Sequence, residues 1–201
     1  ASDTFDIADG GIGTMAVPFS ETSGDMSFTT VTSGRISLGA IDAGTTGAIT
    51  VESAGGADQV GAQMLTGLGL ELLGTGDFAL GTGTNNVDNV AANVTSGDVT
   101  YEDTDDITLT TVGATTNFDV AGTGDLTADS ITKPADTTAT ANAFVFTADE
   151  TDLEGADTVT GSTALLESRS VGLGITVGAA ADTAGQLDIT DGDLGALTDG
   201  F

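Results

Sequence analysis

The feature that most restricts this chain is alternation in short bursts. Apolar and polar residues trade places for a few positions, and then a Gly, Asp, Asn or Ser breaks the run. Arg35-Ile36-Ser37-Leu38, Ala48-Ile49-Thr50-Val51 and Asp106-Ile107-Thr108-Leu109-Thr110 show it. So do Asn117-Phe118-Asp119-Val120, Ala143-Phe144-Val145-Phe146, Gly174-Ile175-Thr176-Val177 and Gln186-Leu187-Asp188-Ile189-Thr190. A period of two with β-branched residues predicts half-buried strands. Runs this short are unusual for a sandwich and normal for a solenoid.

The spacing of the bursts says how they are arranged. Ile107, Phe118 and Ile131 follow one another at intervals near eleven residues, whereas Ile49 and Leu70 stand about twice as far apart. A coil of about 20 residues carrying two or three short strands accommodates both intervals. The phrase Gly-Asp-aliphatic recurs at Gly97-Asp98-Val99, Gly124-Asp125-Leu126 and Gly192-Asp193-Leu194, with Gly76-Asp77-Phe78 close to it. It reads as a corner at which Gly turns the chain and the aliphatic residue opens the next inward strand. The expected fold is therefore all-β, a parallel β-helix or solenoid, with residues 1–201 forming one domain or a segment of a longer repeat array. Eight to ten coils would give a rod on the order of 40 Å long. The alternative is a β-sandwich pilin-like subunit in which the strand around Phe5-Asp6-Ile7 leaves its own domain.

Helical signal is thin. The window 59–73 carries Val60, Met64, Leu65, Leu68 and Leu72 near helical spacing, interrupted by Gly61, Gly67 and Gly69. A second, weaker window is 162–168. Residues 85–96 and 133–142 read as polar loops or insertions. Neither end shows a charged, helical cap, so the end coils are expected to expose unpaired edges that another copy or a longer chain would cover.

Charge sets the partners aside. Three basic residues, Arg35, Lys133 and Arg169, face 31 acidic ones, for a net charge of −28. Phosphate backbones and anionic membranes would be repelled, so no nucleic-acid partner is expected. No apolar run approaches the roughly 20 residues of a membrane span. The apolar residues are mainly Ala, Val, Leu and Ile, with 8 Phe, 1 Tyr and no Trp. Small branched side chains suit a narrow layered interior. With no initiating Met and no leader-like segment, Ala1 reads as a processed N-terminus or the edge of a larger chain.

Catalytic chemistry finds little to work with. There is no His and no Cys, hence no His general base, no thiol nucleophile and no His- or Cys-ligated metal. Paired carboxylates alone would suit glycoside hydrolysis, but aromatic platforms for sugars are lacking. The chain is read as a non-enzyme that requires no cofactor. Gly10-Gly11-Ile12-Gly13 and the glycines between 67 and 83 lack the Lys of a phosphate loop and read as corners. Two acidic clusters are candidates for weak Ca²⁺ binding: Asp103, Asp105 and Asp106 beside Glu102, and Asp188, Asp191 and Asp193. Neither has the ligand spacing of an EF-hand, and a solvated acidic corner is the simpler reading of both. Arg35 and Arg169 read as partners for nearby Asp side chains, and the sequon Asn93-Val94-Thr95 as a chance match in a Thr-rich chain.

The segment Leu166-Glu167-Ser168-Arg169-Ser170-Val171-Gly172-Leu173-Gly174 is followed by Gly185-Gln186-Leu187-Asp188-Ile189-Thr190-Asp191-Gly192-Asp193-Leu194 and by Leu197-Thr198-Asp199-Gly200-Phe201. This resembles the repeats of filamentous-haemagglutinin-like bacterial surface proteins. The stretches from Gly34 to Val51 and from Gly97 to Leu109 resemble the same repeats. The resemblance implies a right-handed parallel β-helix, a secreted or cell-surface location and often an adhesive role. It carries over no catalytic residue. In such repeats the corner at Asp199-Gly200-Phe201 runs into another strand. The following strand is therefore expected from a longer chain or a neighbouring copy, head to tail, and Ala1-Ser2-Asp3-Thr4-Phe5-Asp6-Ile7 alternates well enough to supply it. Two roles are expected: a structural stalk or extracellular filament segment, or an adhesin module binding a receptor or glycan through its loops.

Overall fold

The computed structural model describes residues 3–6, 13–14, 19–20, 24–30, 32–179 and 186–198. Every strand pairing in it is parallel; the strands stack as a β-solenoid of about 7 turns, except Gly174–Ala179 and Gln186–Thr190, which pair with each other as a separate two-stranded sheet. At a strand separation of about 4.8 Å this is a rod of about 34 Å, shorter than the eight to ten coils the sequence suggests. Parallel ladders exclude the β-sandwich, whose strands pair antiparallel. Asp3–Asp6 does not leave its domain: it pairs with Met26–Thr29 of the same chain. Ile7 lies outside the described residues, as do Gly10, Gly11 and the corner at residues 199–201.

Three faces build each coil. On the first, Met26–Thr29 pairs with Ala48–Ser53, which pairs with the latter half of Leu65–Gly74. The second face runs through Ile36–Leu38, Ala57–Gln59, Val99–Asp103, Thr123–Thr127, Ala143–Thr147 and Thr163–Glu167. The third carries Ile41–Asp42, Ile107–Leu109, Ser130–Lys133 and Glu150–Leu153. The strand Phe78–Val94 passes through all three faces without a break. The eleven residues from Ile107 to Phe118 are one step, from the third face to the first, lengthened by the corner between them, and Phe118 to Ile131 takes two steps; the doubled interval is a whole coil. Ile36, Ala57, Phe78 and Val99 succeed one another at 21 residues on the second face.

In-register pairing with a period of two piles inward side chains into columns. Phe28, Val51, Leu72, Ala92, Phe118, Ala139 and Val159 stand one above another on the first face, all buried. Bulky and small residues alternate around Phe118, so one ring fills the space its neighbours leave. Gly124 does the same on the second face: a Cβ there would lie 3.1 Å from both the Phe118 and Phe144 rings. Burying each of the larger side chains, Phe28, Val51, Leu72, Phe118 and Val159, stabilises the fold by roughly 1.5–3 kcal/mol.

Several local expectations are corrected. The window 59–73 holds a strand, Leu65–Gly74, because Leu65, Leu70 and Leu72 pair into the ladders. The window 162–168 holds the strand Thr163–Glu167. Most of 85–96 is strand rather than loop, since Asn85 through Val94 keep ladder partners on both neighbouring coils. Of the four Gly-Asp phrases, Gly76 and Gly97 are corners with φ of +84° and +102°. Gly124 lies within a strand and Gly192 within a helix. That helix, Asp191–Ala196, was not expected at all. Thr190 caps it through a reciprocal box, its hydroxyl accepting from the Asp193 N–H while Asp193 accepts from the Thr190 N–H. No helix among the described residues is long and apolar enough to cross a membrane.

Candidate functional site

The acidic cluster at 103–106 divides between the inside and the outside of the coil. Tyr101 points inward on the strand Val99–Asp103, and Asp103, two residues on, must point the same way. Both are fully buried. The Asp103 carboxylate accepts from the Tyr101 phenol, from the Val87 N–H at 3.0 Å and from the Asp105 N–H at 3.2 Å. Burial pushes the Asp103 carboxyl up to about 6, against the pull of those donors. Burial, reinforced by the Asp103 charge, pushes the Tyr101 phenol well above its ordinary value.

Asn85 completes this polar seam, in register with Asp103. Its side-chain oxygen accepts from the Leu65 N–H at 3.0 Å and from the Gln59 amide at 2.6 Å. Its amide donates to the carbonyls of Leu80 and Glu102, each at 2.9 Å. A carboxyl shifted toward neutral pH often marks catalysis. Here Tyr101, Asp103 and Asn85 have no exposed surface, so no substrate reaches them. The seam satisfies backbone groups where the second face bends into the third.

Asp105 and Asp106 lie outside, in a shallow recess with Asp88, Asn89 and Thr108. Asp105 accepts from the Asn86 amide at 2.8 Å. The second cluster is also dispersed. Asp188 is buried beside a recess lined by Ser130, Thr132, Glu150, Asp152 and Thr190. Asp193 is buried and accepts from the Leu153 N–H at 2.6 Å, and Asp191 is exposed on the first helical turn. Burial, with the nearby charges of Glu154 and Asp193, raises the Asp152 carboxyl. Among the described residues no group of three or more Asp, Glu, His or Cys is placed to hold a metal ion.

The three cations have different fates. Arg35 pairs with Asp58 at 2.8 Å and Arg169 with Asp129 at 2.6 Å, both at the surface. Such pairs contribute at most about 1 kcal/mol. Lys133 is wholly buried. Its ammonium donates to the carbonyls of Pro134 at 2.9 Å and Thr137 at 3.0 Å, and to that of Glu154 in the next coil. Burial lowers its pKa, and the charges of Glu154 and Asp136 partly restore it. The sequence held a signal for this: Lys133 stands two residues from the inward Ile131 and shares its face.

Residues 110–117 form an enlarged corner that the sequence did not mark. Val99 and Gly124 are 25 residues apart on the second face, against 21 in the coil before. Glu71 holds the added loop: its carboxylate accepts from the N–H groups of Ala114 at 3.2 Å and Thr115 at 3.1 Å and from the Thr50 hydroxyl at 2.9 Å. Val112 packs over Gly69, where a Cβ would stand 2.7 Å from it. The chain matches no family model, no curated protein and no solved structure.

Proposed function

We propose that this protein is a structural, non-catalytic rod: a segment of a secreted bacterial surface protein or extracellular filament that works through length and stiffness. The observation that carries this reading is the unbroken column from Phe28 to Val159, in which each coil is held by the coils on either side. A stack of this kind resists bending because any tilt opens a packed interior and its parallel ladders together. The outward positions are mainly Thr, Ser, Asp and Asn, which suits permanent contact with water and salt. The large negative charge keeps rods apart laterally.

An adhesive role draws less support. The described aromatic side chains, Phe28, Phe78, Tyr101, Phe118, Phe144 and Phe146, are all buried, so none offers a platform to a glycan. Small-angle scattering and negative-stain images of the native protein test the rod reading. A stiff particle whose cross-section stays constant along its length supports it; a flexible or globular profile overturns it. A calcium titration of thermal unfolding tests the acidic clusters, and an unchanged midpoint at millimolar Ca²⁺ removes a cation role.

A further inference from the structure

The two chain ends of the rod are not closed alike. After the last second-face strand, Thr163–Glu167, the strand Gly174–Ala179 pairs with Gln186–Thr190, and this second strand and the helix Asp191–Ala196 lie against the third and first faces. There it makes the bonds another coil would make. On the first face Phe118 donates its N–H to Thr138 and Ala139 donates to Thr158, at 3.0 and 2.9 Å. Thr158 in turn donates to the carbonyl of Ala196 at 2.9 Å, Thr198 donates to Val159 at 3.0 Å, and Val159 and Leu197 form a parallel bridge. On the third face the Leu153 N–H meets the side-chain carboxylate of Asp193 in place of a strand carbonyl. Ala196 is buried against the end of the core.

The second face is left out of this arrangement. Thr163–Glu167 pairs with Ala143–Thr147 on one side, and no strand pairs with its other side among the described residues. Leu166 on that strand, in register with the buried Phe146, is only half-buried. At the opposite end, Gly13–Thr14 pairs only with Ile36–Leu38 among the described residues. Because every ladder is parallel, the two second-face edges run in the same direction. A second copy set with its first coil on this last coil continues the ladder without inversion, a head-to-tail contact that does not close on itself.

We infer that residues 186–198 are a displaceable cap that competes with a second copy of this chain for the end of the rod. With the cap seated, a second copy finds one open face of three. With the cap released, all three faces present unpaired strands in the polarity the first coil of another copy needs. This rests on the structural-rod reading and adds to it a control over when rods join.

The test uses the full chain. Asp193→Ala removes the carboxylate from the Leu153 N–H, and Thr198→Pro removes the N–H that Val159 receives. The double variant is compared with the native protein by sedimentation velocity across a dilution series, with amide exchange read at Leu153 and Thr158. The expected result is a gain of exchange at both amides, together with species of twice the chain mass and above that grow with concentration. Adding Leu166→Lys, which sets a charge where another coil would close the interior, is expected to return the double variant to single chains. Faster exchange without association overturns the competition, and unchanged exchange overturns the assignment of these contacts as what holds the cap. Should the double variant fail to fold, Asp193→Ala alone, which removes the acceptor from the Leu153 N–H, gives the same two readouts. A native particle that is not a rod would sink the functional reading separately, since scattering from the native chain does not depend on the cap variants.

Discussion

Tyr101 and Asp103 stand two residues apart on one strand, and the phenol donates a hydrogen bond to the carboxylate inside the coil. An acid placed there is held in two opposed ways: burial disfavours its charge, while three donors favour it. Burial prevails, and the folded-state pKa of about 6 lies above the ordinary value of 3.8.

That shift fixes a pH dependence. A raised carboxyl pKa means the folded state holds a proton the unfolded chain has lost between about pH 4 and 6. The corresponding stability is fully present below about pH 4 and is lost as pH rises through about 6. Its size is on the order of 3 kcal/mol, at 1.36 kcal/mol per pKa unit. Urea unfolding should show the native protein gaining stability from pH 7.5 to pH 5. In Asp103→Asn the gain should be smaller by about 1.4 kcal/mol, the part of that amount that falls between these two pH values. Equal pH profiles for the two proteins would refute the assignment.

Lys133→Met should cost about 2–4 kcal/mol, because the thioether fills the space of the stem but leaves the carbonyls of Pro134, Thr137 and Glu154 without their donor. Chemical denaturation measures it. A neutral or stabilising result would mean that the desolvation of the ammonium outweighs its three bonds.

Two glycine substitutions should separate a strained backbone from a crowded one. Gly97 has φ of +102°, and a Cβ there would lie 2.5 Å from backbone atoms of Gly76 in the neighbouring coil. Gly61 has φ of +63° with nothing within 4 Å. Gly61→Ala should cost about 1 kcal/mol. Gly97→Ala should cost on the order of 3 kcal/mol or more, since the neighbouring corner has to move. Thermal melts of the two variants side by side provide the comparison, and similar melting points would contradict the close corner stacking.

Glu71→Ala should free the loop at 110–117. Amide exchange at Ala114 and Thr115 should accelerate while exchange at Leu70 and Leu72 stays slow, with a stability loss of about 1–3 kcal/mol. Protection that survives at Ala114 and Thr115 would show that Val112 on Gly69, rather than Glu71, holds the loop.

Many strands were legible because they announce themselves locally, whereas Leu65–Gly74, the latter half of Phe78–Val94 and Thr163–Glu167 did not. Ile107-Thr108-Leu109 and Phe144-Val145-Phe146 carry their alternation within a few residues, and their spacing carries the coil. The fates of individual polar residues were less legible. Asp103 and Asp106 look alike in sequence, yet one is enclosed and the other faces solvent, because Asp103 ends its strand on the inward side and Asp106 lies in the bend that follows. Tyr101 and Ile131 gave usable hints for Asp103 and Lys133, two residues away. Nothing local pointed to Asn85, whose partners Gln59, Leu65, Leu80 and Glu102 come from several coils.

By itself the sequence determined that this chain forms short strands repeating at about one coil, with an aliphatic interior and an acidic exterior. Only the tertiary structure decided the number of turns, which acids turn inward, and that residues 186–198 close two faces of the end. The physical reason is range. Alternation and turn residues act between neighbours in the chain. A cap such as Asp193 on Leu153, by contrast, depends on where a coil 40 residues earlier happens to stop.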